Sequence, residues 1–252
     1  MTTSGLILVG EGFSPWTEKA RWALDHHRIP YRYEEYTPLL SEPWLRLRAR
    51  RTRGAISVPY LLGPGGFSLG DSFAIAQEAD RRGREECLVP LDLMPDITAW
   101  NERAERLMRA GRSRILEQTE QRKDVQLESL PQELPRGIRR VLTPTVRVGT
   151  AYLRKKYAVR VVPDEELEVE LAAVRAAIAG DPSRALLGRF TLADIAMASA
   201  LQAVRPHATQ PVGLLSAQRA AWERRELAAR WEDVLAWRDA MVTKRPSPVA
   251  AP

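Results

Sequence analysis

The chain has 252 residues, with 38 Lys and Arg against 32 Asp and Glu for a formal net charge of +6, and is 44% hydrophobic and 28% charged. That is long enough for two small domains and too apolar for a disordered chain. A single cysteine, Cys87, excludes an internal disulfide and any Cys-x-x-Cys zinc or dithiol site. Met1–Gly5 lacks a basic leader, and the apolar run Leu6–Val9 is too short for a signal peptide or a membrane span. The expectation is a soluble cytoplasmic protein without membrane partners. Charges of both signs interleave, as in Arg224-Arg225-Glu226, which reads as solvated helix surface. With no basic stripe in a recognisable module, no nucleic-acid partner is expected, although the positive field favours small anions.

Leu6–Gly10 is a short apolar run, expected as a buried strand. Pro15–His27 then places Trp16, Ala20, Ala23, Leu24 and His27 at helical spacing, and Ile29-Pro30 ends that helix. Tyr31–Tyr36 alternates aromatic and charged residues as a strand does, and Glu42–Arg50 reads as a short Arg-rich helix. Val58–Leu62 and Phe67–Leu69 flank Gly63-Pro64-Gly65-Gly66 as a hairpin, and Asp71–Arg82 reads as a third helix. This order implies a mixed four-stranded sheet: a parallel crossover, a terminal hairpin, and helices on the faces.

Beyond the connection at Gly83–Pro95, helical spacing dominates. Helices are expected at Asp96–Glu120, Thr145–Tyr157, Asp164–Ala179, Thr191–Val204 and Ser216–Thr243, while the prolines of Lys123–Pro144 leave that segment open. The Pro- and Ala-rich tail from Arg245 is expected to fray. The fold class is therefore α/β plus all-α: an α/β domain at 1–82, a linker at 83–91, a helical bundle at 92–245 and a flexible tail at 246–252.

Three places point to chemistry. Ser14-Pro15 opens the first helix, so Ser14 either caps a backbone N–H or donates its hydroxyl to an anion over the helix N-terminus. Val58-Pro59 enters a strand at the turn into a hairpin, a setting that favours a cis bond. A cis-proline there leaves the main chain of Val58 to pair with an extended, peptide-like ligand. Gly70-Asp71-Ser72 sets a carboxylate and a hydroxyl at the start of the third helix, again as cap or as ligand anchor.

Together these residues resemble the glutathione transferase family. Ser14-Pro15-Trp16-Thr17 stands where thioredoxin-like domains carry Cys-x-x-Cys and where Ser- and Cys-type transferases carry the thiol-activating residue. Ser57-Val58-Pro59-Tyr60-Leu61 is similar to the family's Val-Pro-x-Leu element with its cis-proline, and Leu69–Ile75 to its acidic-Ser-x-x-Ile element. Gly188–Ile195 is similar to the family's Gly-x-x-Thr-x-Ala-Asp-Ile signature, in which Thr191 and Asp194 would form a structural capping box.

The resemblance implies a thioredoxin-like N-terminal domain and glutathione as co-substrate, with no metal. Ser14 would polarise the thiolate, Val58 and Pro59 would present the cysteinyl contact, and Asp71 and Ser72 would hold the γ-glutamyl group. Arg46, Arg48, Arg50, Arg51 and Arg53 crowd one segment; Arg51 and Arg53, nearest the Val-Pro element, are the candidates for a carboxylate clamp, the alternative being a solvated basic face. Trp16 and Trp100, with Tyr152 and Tyr157, are candidates to line the second-substrate pocket or to pack as core. Trp16 replaces a smaller aromatic, Ala55-Ile56-Ser57 lacks the usual Lys or Gln, and Gln121–Gly149 adds length beside that pocket. Ser at position 14 disfavours disulfide exchange. Conjugation to a small hydrophobic electrophile in a homodimeric enzyme is the expectation. A glutathione-dependent isomerase or lyase, and a non-catalytic binding module, remain the alternatives.

Overall fold

The computed structural model describes residues 5–38, 40–208 and 214–249. The expectations for Met1–Ser4 and for the end of the tail, residues 250–252, lie outside the described residues.

The first elements are β1 (Ile7–Gly10), α1 (Pro15–His26), β2 (Arg32–Glu35), α2 (Glu42–Arg48), β3 (Tyr60–Leu62), β4 (Ser68–Gly70) and α3 (Ser72–Arg82), in the expected order. They build a mixed sheet of strand order β2-β1-β3-β4. β1 runs parallel to β2 and antiparallel to β3, with Leu8 opposite Tyr33 on one side and Leu61 on the other. Alternation along the strands sorts side chains by face. Leu8 and Leu61 enter the main core with α1 and α3, whereas Val9, Tyr60 and Leu62 join Tyr36, Leu45 and Ile56 in a smaller core. Gly10 permits the next step, because a Cβ there would stand 2.5 Å from the Thr17 side chain. Lacking one, the chain turns from β1 into α1 at close quarters and sets Ser14 beside the carboxyl ends of the parallel strands, where ligands of such sheets gather.

A single 3₁₀ turn at Leu91–Leu93 leads into α4 (Met94–Gln121), followed by α5 (Lys123–Glu128), α6 (Arg136–Lys156), α7 (Asp164–Ile178) and α8 (Leu192–Ala200). The last helices are α9 (Ser216–Trp222), α10 (Arg225–Arg230) and α11 (Glu232–Val242). Every residue of α8 is buried. Its start is the capping box the resemblance implied: Asp194 accepts from the Thr191 and Leu186 N–H groups, both at 2.8 Å, and Thr191 Oγ1 accepts from Ala193 N–H. One apolar core runs from Leu6 and Leu8 through Trp22, Ile75, Leu107 and Ile195 to Trp237. The α/β and helical parts are thus packed face to face, which fixes the cleft between them.

Two expectations are corrected, and the segment left open takes a definite form. The Pro-interrupted segment is helical across Pro144. A proline normally orphans the carbonyl four residues back; here that carbonyl, of Arg140, accepts from Thr143 Oγ1 at 2.9 Å. Ser216–Thr243 is three helices rather than one. The chain is extended at Glu223, and Arg114 of α4 donates to the carbonyls of Ala221 and Glu223 at 3.0 and 2.8 Å, in place of continued helix bonds. Nor does the tail fray at Arg245, whose guanidinium is paired with the buried carboxylates of Glu18 and Asp25.

Candidate functional site

A cavity of about 840 Å³ lies between the two parts, with Ser14, Val58, Pro59, Asp71 and Ser72 all in its wall. Ser14 is buried and stands at the N-cap of α1, yet its side chain makes no cap hydrogen bond. Its backbone N–H donates instead to the Glu11 carbonyl at 3.0 Å. The hydroxyl is therefore not spent on the helix, and it sits where the partial positive charge of α1 emerges. Opposite, the Val58–Pro59 bond is cis, as the sequence led us to expect. At the start of α3, Asp71 Oδ1 caps Phe73 and Ala74 at 2.9 and 3.0 Å, with a backbone φ of +77°. A non-glycine residue in that region needs support from its surroundings, and such residues gather at ligand sites. Ser72 Oγ is buried without a hydrogen-bond partner among the described residues.

From these residues the cavity extends along α4, past Ile115, Leu116 and Thr119, to Val125, Val146, Leu153 and Trp222. One end is thus polar and backbone-rich, and the other is apolar. Trp16 forms part of the wall between them. Its indole Nε1 donates to both oxygens of Glu105 on α4 at 2.9 Å, and Glu105 and Asn101 also take the buried Lys19 ammonium. Arg112, two turns further along α4, lies over the Trp16 ring at 4.2 Å and the Tyr157 ring at 4.0 Å.

Residues 13–82 match the family described as glutathione S-transferase, N-terminal domain. The N-terminal part of this chain is similar to a glutathione S-transferase N-terminal domain. Solved structures extend the likeness in fold over nearly the whole chain. A glutathione transferase family member from Pseudomonas fluorescens Pf-5, with bound S-(propanoic acid)-glutathione, is 16% identical at a TM-score of 0.55, covering 96% of this chain and 100% of that one. A glutathione S-transferase from Methylobacillus flagellatus, with glutathione bound, is 15% identical at 0.53 over 96% and 100%. A glutathione transferase from Phanerochaete chrysosporium is 15% identical at 0.59 over 95% of each chain. No curated protein matches the sequence.

The N-terminal part also places two carboxylates that sequence reasoning missed. Glu11 follows the end of β1, Glu35 is the last residue of β2, and both line the cavity with Ser14. Glu35 is held by the Gly12 N–H at 3.0 Å and the Tyr33 hydroxyl at 2.7 Å. Glu11 makes no side-chain hydrogen bond among the described residues, and burial, reinforced by the charge of Glu35, pushes it up to about 7 against the opposing pull of Arg112 and Lys156. A signal was present: a carboxylate between two glycines, Gly10-Glu11-Gly12, at the carboxyl end of a parallel strand.

This sets a pH dependence of stability. Between the ordinary value of 4.5 and about 7 the unfolded chain gives up the Glu11 proton while the folded chain keeps it. The stability this group contributes is full below 4.5 and is lost as pH rises through 7. Glu11→Gln is expected to match the wild type near the low end and to exceed it by about 1–3 kcal/mol at about pH 8. Urea denaturation across that range is the measurement, and an offset that stays constant with pH contradicts the assignment.

Four expected residues stand elsewhere. Arg51 and Arg53 are exposed and do not line the cavity; the neighbouring Arg46 and Arg48 are engaged by Glu42 and Glu34. Trp100 is half-buried against the main core with Arg103 over its ring. It lies five residues before the cavity-lining Glu105, about 140° round the helix from that face. Tyr152 instead donates to Glu42 at 2.8 Å, across the α2–α6 contact. There, although burial raises it, hydrogen bonds from Lys156, Tyr152 and Arg46 hold Glu42 down at about 2. Tyr157 does line the cavity, as do Val125, Ser129 and Val146 from the lengthened segment. Cys87 is exposed outside it, its thiol pushed up by burial and by Asp80.

Proposed function

We propose that the chain is a glutathione transferase-like enzyme that presents the glutathione thiol as a thiolate to an electrophile in the apolar arm of the cavity. One observation carries the reading: the Ser14 hydroxyl, unused by its own helix, faces the same cavity as the cis Val58–Pro59 bond and the start of α3. Ser14 donates a hydrogen bond to the sulfur anion, and the N-terminus of α1 adds its field. The main chain of Val58 pairs with the cysteinyl backbone, as an added strand does, while Asp71 and Ser72 receive the charged γ-glutamyl end. The sulfur then bonds to the electrophilic carbon. A leaving group departs with its electron pair or, in an addition, the π pair moves to the neighbouring atom and takes up a proton from water. The glutathione derivative bound in the Pseudomonas structure and the glutathione bound in the Methylobacillus structure support this choice of thiol.

Retention of the wild-type protein on immobilised glutathione, with elution by free glutathione, tests binding. Thiol consumption with a panel of aryl halides, benzyl halides and enones tests turnover. No retention ends the glutathione assignment; retention without turnover of any electrophile favours a binding module.

A further inference from the structure

Arg112, at the junction of the cavity's two ends, feels the charges of Glu11 and Glu105 without forming an ion pair with a described residue. Arg112 lines the cavity with Ser14, and among the described residues its guanidinium forms no ion pair and donates no hydrogen bond. Each nearby carboxylate is otherwise engaged. Glu105 holds Trp16 and Lys19, and Glu35 holds the Gly12 N–H and the Tyr33 hydroxyl. Glu11, pushed up to about 7, is only about half ionised near neutrality. The rings of Trp16 and Tyr157 lie 4.2 and 4.0 Å from the guanidinium carbon and offer it no hydrogen-bond acceptor, so its N–H donors are left for a partner. A planar carboxylate approaching in the guanidinium plane accepts two parallel hydrogen bonds. From Arg112 the same face of α4 continues to Leu116 and Thr119, the apolar arm, with a rise of about 1.5 Å per residue.

We propose that Arg112 is the docking group for a carboxylate on the second substrate, so that this cavity selects electrophiles with an apolar body and a carboxylate close to the reacting carbon. The reaction part rests on the transferase reading above; the binding part does not.

Two arms keep these separate. In the first, calorimetry measures binding of 4-methylbenzoate and of the uncharged 4-methylbenzamide without glutathione. The benzoate is expected to bind at least about tenfold more tightly to the wild type, and Arg112→Met to abolish that difference. Arg112→Lys, a point charge without the fork, should retain only part of it. In the second, the ratio of kcat/KM for 4-(chloromethyl)benzoate over 4-(chloromethyl)benzamide, with glutathione, is expected to fall at least about tenfold in Arg112→Met. Equal binding of the two probes by the wild type, or a benzoate preference that survives in Arg112→Met, overturns the proposal. Should Arg112→Met not fold, the wild-type and Arg112→Lys comparison still decides it. Benzoate selectivity in a protein that fails to bind glutathione upholds the docking role and sinks the transferase reading.

Discussion

Ser14→Ala is expected to lower kcat/KM for thiol conjugation about 10- to 100-fold near neutral pH, with little change in KM for glutathione. A hydrogen bond to a charged group contributes about 1.5–3 kcal/mol, and an ordinary thiol titrates near about 8.5. Removing the hydroxyl then raises the pKa of the bound thiol by about one to two units, and near neutrality the thiolate fraction falls in proportion. The loss should therefore shrink as pH is raised, because the bound thiol ionises unaided once pH passes its new pKa. Binding is spared because Val58, Asp71 and Ser72 make their contacts elsewhere in the cavity wall. Ser14→Thr keeps a donor and should recover much of the rate. The measurement is the pH–rate profile of the three proteins, with thiolate ultraviolet absorbance of the bound glutathione as a direct titration. Full activity in Ser14→Ala removes Ser14 from the role. An equal loss at every pH assigns it to positioning instead.

That prediction could be framed from sequence because the information is local. Ser14-Pro15 after an apolar strand, Val58-Pro59 before a hairpin and Gly70-Asp71-Ser72 at a helix start each declare a backbone geometry, and the fold then brings the three together. The sheet order was legible for the same reason, since alternation and turn residues act over a few positions. What was not legible depends on distant partners. Nothing in α4 distinguishes Arg112 from Arg109 or Arg106 until Trp16 and Tyr157 are seen stacked against it. Likewise, Arg51 and Arg53 looked well placed by their nearness in sequence to Val58, but the chain between them turns through Gly54 at a φ of +81° and leaves both in solvent. The segment up to Pro144 stayed open because the Thr143 hydroxyl's substitute bond cannot be foreseen from spacing.

The tail is a case where a composition argument fails through one residue, and it carries the largest stability effect. Arg245→Met is expected to cost about 3–5 kcal/mol at neutral pH. Asp25 is fully buried, accepting from Tyr31 at 3.1 Å and from the Arg245 guanidinium at 2.6 and 2.9 Å; Glu18, also buried, takes the other arm of the same group. Burial raises both carboxyls, and Arg245 is the leading influence opposing it. Without that guanidinium, Arg21 is the cation among the described residues that still opposes the rise of both carboxyls. His207, 4.0 Å from Glu18, cannot take over, because burial and then the charge of Arg238 push it down to about 4 and leave it neutral. Both carboxyls must then move still higher in the folded variant. The penalty is full at pH above those raised values and is relieved as pH falls toward the ordinary carboxylate range, where the unfolded chain takes up the same protons. Urea denaturation should accordingly show a large loss at about pH 8 that narrows on acidification, and Asp25→Asn in the Arg245→Met background should recover part of it. A loss below about 1 kcal/mol at neutral pH would place Arg245 among the surface pairs that contribute little, and the tail would then be as loosely held as its prolines suggest.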